Sequence, residues 1–271
     1  MAATPRSLSS TTDPSPVFTH VLVGVDGTAA GLEACREAGV LVEPEGSLEL
    51  VFVADTGLAV YAGMSAPRIL DEMEEEAASA FAAAAEIAGG RASTRLIRGT
   101  PTTALLGESE KTGATLVVVG SHHHSRFAEM VLGGVSGEVL HRSLCSVLVA
   151  RSSAADTPFP RSLLAGIDGS ERAERALAVG RYLATRFGVP LRTVTALRDT
   201  DLDLDLIHRQ APSVEEIDER PVEALRTAAL DVDLLIVGSR GLHGVRALGS
   251  VSERIAHVAA CSVLVVREPK R

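Results

Sequence analysis

Short aliphatic runs alternate along this chain with longer stretches whose apolar residues recur at helical spacing. Val21–Asp26 is an apolar run that stops at Asp-Gly-Thr, which predicts a strand, a turn and a helix start. Leu32, Cys35, Gly39 and Val42 then share one helical face, and Leu48–Ala54 predicts a second strand. Pro67–Ala88 carries the strongest helical pattern. Leu70, Met73, Ala77, Phe81, Ala84 and Ala88 line one face, and Asp71, Glu72, Glu74 and Glu75 cover the rest. Arg95–Ile97 predicts a short strand, and Thr100-Pro101 opens a helix with proline in its first turn. Leu116–Val119 is wholly aliphatic, as a central strand covered on both faces must be. A helix from about Val135 and a strand over Ser146–Ala150 complete the series.

The series then repeats. Val21-Leu-Val-Gly-Val-Asp-Gly-Thr28 returns as Leu163-Leu-Ala-Gly-Ile-Asp-Gly-Ser170, Leu116-Val-Val-Val-Gly-Ser121 as Leu234-Leu-Ile-Val-Gly-Ser239, and Cys145-Ser-Val-Leu-Val-Ala-Arg151 as Cys261-Ser-Val-Leu-Val-Val-Arg267. Asp26 and Asp168 are 142 apart, Gly120 and Gly238 are 118 apart, and Cys145 and Cys261 are 116 apart. The second copy has therefore lost 24 residues before Gly238 and two more within or after its loop. Between predicted strands Leu191–Leu197 and Val214–Ile217 stand only the acidic stretch Asp199–Asp205 and a short tail, with no room for a counterpart of Pro67–Ala88. Strands alternating with helices give an α/β fold of two repeated open parallel sheets, Rossmann-like, the second lacking a helix. The expected divisions are a flexible arm at 1–17, a first domain at 18–151, a linker at 152–161 with two prolines, and a trimmed domain at 162–268. The missing helix should leave one face of the second sheet thinly covered, to be closed by the other domain or by a second copy in a homodimer.

Composition narrows the partners. The 271 residues carry a net charge of −9, which argues against a nucleic-acid backbone or an anionic membrane surface. No apolar stretch approaches the ~20 residues of a membrane span. The first 17 residues are rich in Ser, Thr and Pro without an apolar signal core, and the three cysteines are odd in number and far apart. A cytoplasmic protein with no membrane and no nucleic-acid partner is the expectation. With 3% aromatic residues, its core must be built from Val, Leu, Ile and Ala.

In an open parallel sheet, ligands sit beyond the carboxyl ends of the strands at the switch point. The Asp after the first strand, the end of the second strand and the loop after Gly120 or Gly238 converge there. In the second half, Gly249-Ser250 precedes a helix, so exposed amides and the helix dipole make a phosphate cradle. The Lys-Ser/Thr of a Walker loop is absent, and neither first turn has Gly-x-Gly-x-x-Gly. The ordered set Val-Asp-Gly-Thr or Ile-Asp-Gly-Ser, Val-Gly-Ser-Arg-Gly…Gly-Ser-Val-Ser-Glu-Arg and Cys-x-Val-Leu-Val-Val resembles the universal stress protein family. The resemblance runs from Phe18 to about Arg267 as a tandem pair. It implies adenine nucleotide alpha hydrolase-like domains of five parallel strands, pairing through the last strand, and a role in stress survival. Members of the ATP-binding type carry Gly-x2-Gly-x9-Gly-Ser/Thr, an Asp after the first strand and a hydrophobic residue against the adenine.

Neither copy keeps that motif whole. In the first, Asp26, Val53, Gly120, Gly133 and Val135 stand at the expected places. His123 replaces a glycine there, and Gly134 replaces the Ser/Thr hydroxyl, with Ser136 able to substitute only after rearrangement. In the second, Asp168, Gly238, Gly241, Gly249, Ser250 and Val251 keep their types, with Ala196 or Leu197 facing the adenine. Only seven residues separate Gly241 from Gly249. The implied ligand is ATP, with magnesium, or another adenine nucleotide, in at least one domain. The first copy is favoured because loop length and a full helix set are harder to replace than one side chain. The alternative is an interaction scaffold with degenerate sites and protein partners the sequence does not name.

Other tempting residues carry less. Consecutive side chains in His122-His123-His124 alternate in direction and lack a matching ligand set. Cys35, Cys145 and Cys261 read as small core residues, and His243 and His257 as loop and helix-surface residues. No nucleophile elbow or general acid–base pair is evident, so slow ATP hydrolysis is the most catalysis expected. The halves should pair through Val147–Ala150 and Val263–Val266.

Overall fold

The computed structural model describes residues 17–55, 66–121, 134–151, 157–198, 202–239 and 251–268. The first half runs β1 (His20–Val25), α1 (Ala29–Leu41), β2 (Ser47–Asp55), α2 (Ala66–Ile87), β3 (Ala92–Gly99), α3 (Pro101–Thr112), β4 (Leu116–Gly120), α4 (Gly134–Arg142) and β5 (Ser146–Ala150). The second runs β6 (Leu163–Gly166), α5 (Glu171–Phe187), β7 (Leu191–Ala196), α6 (Leu204–Gln210), β8 (Glu215–Ile217), α7 (Pro221–Ala228), β9 (Leu234–Gly238), α8 (Val251–Val258) and β10 (Ser262–Val266).

All ten strands belong to one sheet in the order β3-β2-β1-β4-β5-β10-β9-β6-β7-β8. Each half is parallel within itself, and the halves meet where β5 and β10 run antiparallel, with Leu148 opposite Leu264. β4, β5 and β10 are buried along their whole length, as their unbroken aliphatic runs require. The pleat sends successive residues to opposite faces. Val21, Val23, Leu116, Val118 and Leu148 pack under α1 and α2 together with Leu163 and Leu264 of the second half. Leu22, Val117, Val147 and Val149 pack under α3 and α4 together with Leu164, Val263 and Val265. Both cores therefore run through the junction without a break.

Local chemistry starts the helices where the sequence predicts. Thr28 caps α1 by accepting from the Gly31 amide at 3.1 Å, and Ser170 caps α5 by accepting from the Ala173 amide at 3.2 Å. Met73, Ala77, Phe81, Ala84 and Ala88 turn inward along α2, Ala84 wholly buried; the side chain of Leu70 lies outside the described residues. Three expectations need correction. β3 spans eight residues rather than a short Arg95–Ile97, because the long β2 gives it a full register from Leu48–Ala92 to Asp55–Gly99. β7 stops at Ala196, and Leu197 donates its amide to the Ile217 carbonyl beyond the strand's end. The gap between β7 and β8 is not bare loop: it holds the seven-residue α6, whose first turn Asp203 caps by accepting from the Leu206 amide at 2.9 Å. Ile207 and Ala211 are buried against Ala165, Ile167, Ala173 and Leu177, so the chain covers this part of its own sheet. Asp199, Thr200 and Asp201 lie outside the described residues, as do the arm over 1–16 and residues 152–156 of the linker.

Candidate functional site

The chain's order places the switch point of the first half between β1 and β4, since β2 and β3 lie on one side of β1 and β4 and β5 on the other. A cleft of about 260 Å³ opens there, at the carboxyl ends of the strands. Gly24, Val25 and Asp26 supply the end of β1, Val51–Val53 that of β2, and Val119 and Gly120 that of β4. Pro101 and Leu105 of α3 and Gly134, Val135 and Ser136 of α4 close the other side. Five predicted residues, Asp26, Val53, Gly120, Gly134 and Val135, are thus brought together. His123 and Gly133 lie outside the described residues.

Each of these residues has a definable local role. Gly27 follows Asp26 at φ +72°, a conformation that L side chains rarely adopt, so the strand can turn sharply into α1. The Asp26 Oδ1 accepts from the Thr28 amide at 3.0 Å and from its hydroxyl at 2.7 Å, fixing this turn. Gly120 answers a packing need as well. A Cβ there would stand 2.4 Å from the Ala30 carbonyl oxygen, so only glycine lets β4 pass under the first turn of α1. At Gly134 a Cβ would meet no atom of the described residues within 4 Å, so packing does not demand a glycine there. Ser136, weighed as a stand-in for the missing hydroxyl, is buried and donates to the Gly120 carbonyl at 2.7 Å. That bond ties α4 to β4, a role its sequence position did not reveal.

The second half repeats the frame. Asp168 Oδ1 accepts from the Ser170 amide at 3.0 Å and its hydroxyl at 2.6 Å, and Gly169 has φ +80°. A Cβ at Gly238 would stand 2.5 Å from the Arg172 carbonyl oxygen, matching Gly120. Asp168 is exposed and Asp26 half-buried. Val251 opens α8 with an exposed side chain. Gly241, Gly249 and Ser250 lie outside the described residues, as does His243.

The cysteines behave as core residues. All three are buried and free. Burial pushes the Cys35 thiol up to about 12, with the negative Asp26 adding to the shift, and burial takes Cys261 up to about 11. Such thiols hold their protons and are poor nucleophiles. His257 needs correction: it is half-buried rather than a surface residue, its Cε1 lying 3.8 Å from where a Gly137 Cβ would be. Burial lowers its pKa, Glu253 opposes that shift, and Arg151 adds to it. Among the described residues no group of His, Cys, Asp or Glu is arranged to hold a metal ion. Nor is any helix among them long and apolar enough to cross a membrane.

Comparison with known proteins matches two segments, 18–151 and 209–267, to the universal stress protein family. A universal stress protein of Mycobacterium tuberculosis strain H37Rv is 30% identical over 92% of this chain and 97% of its own length. The crystal structure of a universal stress protein from Archaeoglobus fulgidus superposes with a TM-score of 0.74 at 22% identity, covering 93% of this chain and 97% of that one. A universal stress protein solved in complex with cAMP is 28% identical, covers 51% of this chain and 99% of its own, and has a TM-score of 0.36.

Proposed function

The chain belongs to the universal stress protein family, and from that premise we propose that its first half binds an adenine nucleotide, ATP with magnesium foremost, to act as a regulatory stress-response factor. The observation that carries this reading is the cleft itself, which gathers Asp26, Val53, Gly120 and the first turn of α4 around one space. Its walls have the chemistry a nucleotide requires. Val51, Val53, Leu105 and Val119 offer an apolar slot for a base. Asp26 offers a carboxylate for ribose hydroxyls. Amides in the first turn of α4, which lines the cleft, together with the positive end of the helix dipole, suit phosphates. The reading is of binding rather than turnover. Among the described lining residues Asp26 is the only ionisable side chain, and its carboxylate already holds the turn into α1.

Calorimetry on nucleotide-stripped protein, with and without magnesium, tests this. One ATP per chain is expected, with binding abolished in Val53→Arg, whose guanidinium would enter the slot. Absence of heat with ATP, ADP and cyclic AMP would sink the nucleotide reading. The chain would then be a scaffold that works through protein partners.

A further inference from the structure

The helix that forms the open wall of the first-half cleft is held from behind by the second half. α4 has nine residues, too few to be stable alone in water, so its placement depends on what grips it. At its N-terminal end the grip is the Ser136–Gly120 bond, and along its length Val139 and Leu140 are buried on the sheet. At its C-terminal end the grip is Arg267, which leaves β10 and crosses the junction. The guanidinium donates to the Ser143 carbonyl at 2.6 Å and to the Leu140 carbonyl, where the helix concentrates its partial negative charge. The Arg267 amide also donates to the Ser146 hydroxyl at 3.2 Å. The arrangement is reciprocal. Arg151, at the end of β5, donates to the Cys261 carbonyl at 3.2 Å and to the Ala256 carbonyl, gripping the end of α8.

We propose that Arg267 is a positioning residue for the first-half cleft, setting from the second half the placement of α4 and hence the affinity of the cleft for its ligand. The proposal rests on the nucleotide reading above, but its structural half does not. A planar fork bonded to two carbonyls at the end of a nine-residue helix limits both its tilt and its slide. The amides at the other end move with it, because the helix is a single hydrogen-bonded unit. The two arginines predict opposite specificities: Arg267 governs α4 and the first cleft, Arg151 governs α8. A role confined to overall stability predicts no such difference in the affinity of the first cleft, since the two arginines follow matching strands and hold matching helix carbonyls.

Full-length Arg267→Ala, Arg267→Lys and Arg151→Ala variants separate these roles. ATP affinity is read by calorimetry, and amide hydrogen exchange is read over 134–142 and 251–258 without ligand. Arg267→Ala should weaken ATP about ten-fold and speed exchange at 134–142 while leaving 251–258 protected, an effect within the range seen for residues that touch neither ligand. Arg267→Lys, which keeps the charge without the fork, should fall between, at about three-fold. Arg151→Ala should speed exchange at 251–258 and leave ATP affinity within about two-fold of wild type. Equal losses of affinity in the two alanine variants, or unaltered exchange at 134–142 without the Arg267 fork, overturns the proposal. If Arg267→Ala does not fold, the lysine variant decides by the same two readouts. If wild type takes up no ATP, the nucleotide reading falls, and exchange alone decides whether Arg267 places α4.

Discussion

The two halves share an inner frame and differ on their flanks. The Asp-Gly turns and the glycines under the first helices are duplicated almost atom for atom, and the crossing arginines share their backbone bond and one of their two carbonyl partners. The differences are of three kinds. The crossover between the second and third strands is the 22-residue α2 in one half and the seven-residue α6 in the other. The helix after the first strand has 13 residues in the first half and 17 in the second. The extra turn of α5 carries Arg186, which donates to the carbonyls of Leu41 at 2.9 Å and Val42 at 2.6 Å and so caps α1 of the other half. Finally, charges on the outer strands change sign. The lesson is that the centre of the sheet tolerates little because both halves are built on it, while the flanks are free to diverge.

The largest effect should come from breaking what the halves hold in common. Gly120→Ala drives a Cβ to 2.4 Å from the Ala30 carbonyl oxygen, and Gly238→Ala drives one to 2.5 Å from that of Arg172. Backbone atoms on both sides cannot turn aside as a flexible side chain would. Each variant should lose about 3 kcal/mol of stability in urea unfolding. The two losses should be alike, since the geometry is. A loss confined to Gly120 would mean that the second half does not need its helix so close, and the frame would not be shared.

The next test uses a buried carboxyl whose counterpart in the second half is apolar. Glu37 on α1 is wholly buried, and its Oε1 accepts from the Ser262 hydroxyl of β10 at 2.6 Å, while its Oε2 has no hydrogen-bond partner among the described residues. Val179 holds the equivalent place on α5. Burial raises the Glu37 pKa well above the ordinary 4.5, more than the Ser262 bond and the positive Arg36 and Arg151 lower it. The folded chain therefore keeps a proton that the unfolded chain releases. Stability from this group is fully present below 4.5 and is lost as pH rises toward the raised native value. Between 4.5 and the raised native value wild type should lose stability relative to Glu37→Gln, with a slope of up to about 1.4 kcal/mol per pH unit. The variant difference matters because the half-buried His257, whose pKa is lowered, tilts the curve the other way below its ordinary value. Parallel curves for the two proteins would mean that Glu37 is ionised in the fold.

How much of this was legible before any coordinates depended on whether a feature is local. The Asp26 and Asp168 turns, the helix starts after them and the aliphatic strands follow from neighbours in sequence, and all were readable. The place of the cleft followed from topology, because parallel strands bring Asp26, Val53 and Gly120 to one edge. α6 was missed because the segment leading into it, Asp199–Asp205, is acidic and the apolar contribution here to the core is mainly Ile207 and Ala211, too few to set up a periodicity. The bonds made by Arg267, Ser136 and Glu37 were missed for another reason: their partners lie 124, 16 and 225 residues away. Only the antiparallel junction of β5 and β10 brings Arg267 to α4 and Glu37 to Ser262. The duplicated Arg at the end of the last strand was a signal, visible in the repeat but without a meaning until the strands were paired.

The smallest effect on stability, and the sharpest on how the halves stay distinct, should come from the reversed charges. In the first half Glu49 of β2 accepts from Arg95 of β3 at 2.5 Å, with Glu108 of α3 at 3.3 Å from the same guanidinium. In the second half Arg192 of β7 donates to Glu215 of β8 at 2.8 and 2.9 Å and to Asp231 at 2.8 Å. The registers Val51–Arg95 and Val194–Glu215 put these pairs at the same lattice position with opposite polarity. If the halves exchanged outer strands while folding, Glu49 would face Glu215 and Arg192 would face Arg95. Tandem copies are prone to such misassembly, and like charges on neighbouring strands oppose it. Exchanging the second pair, as Arg192→Glu with Glu215→Arg, keeps the ion pair but gives both halves one polarity. The exchanged pair is half-exposed and the Arg192–Asp231 contact it gives up is solvated, so the thermal midpoint should stay within about 4 °C of wild type. Refolding from urea at high protein concentration should instead yield more swapped or associated species on gel filtration. An unchanged refolding yield would show that the crossovers of unequal length already keep the strands apart, and that the sign reversal plays no part in pairing them.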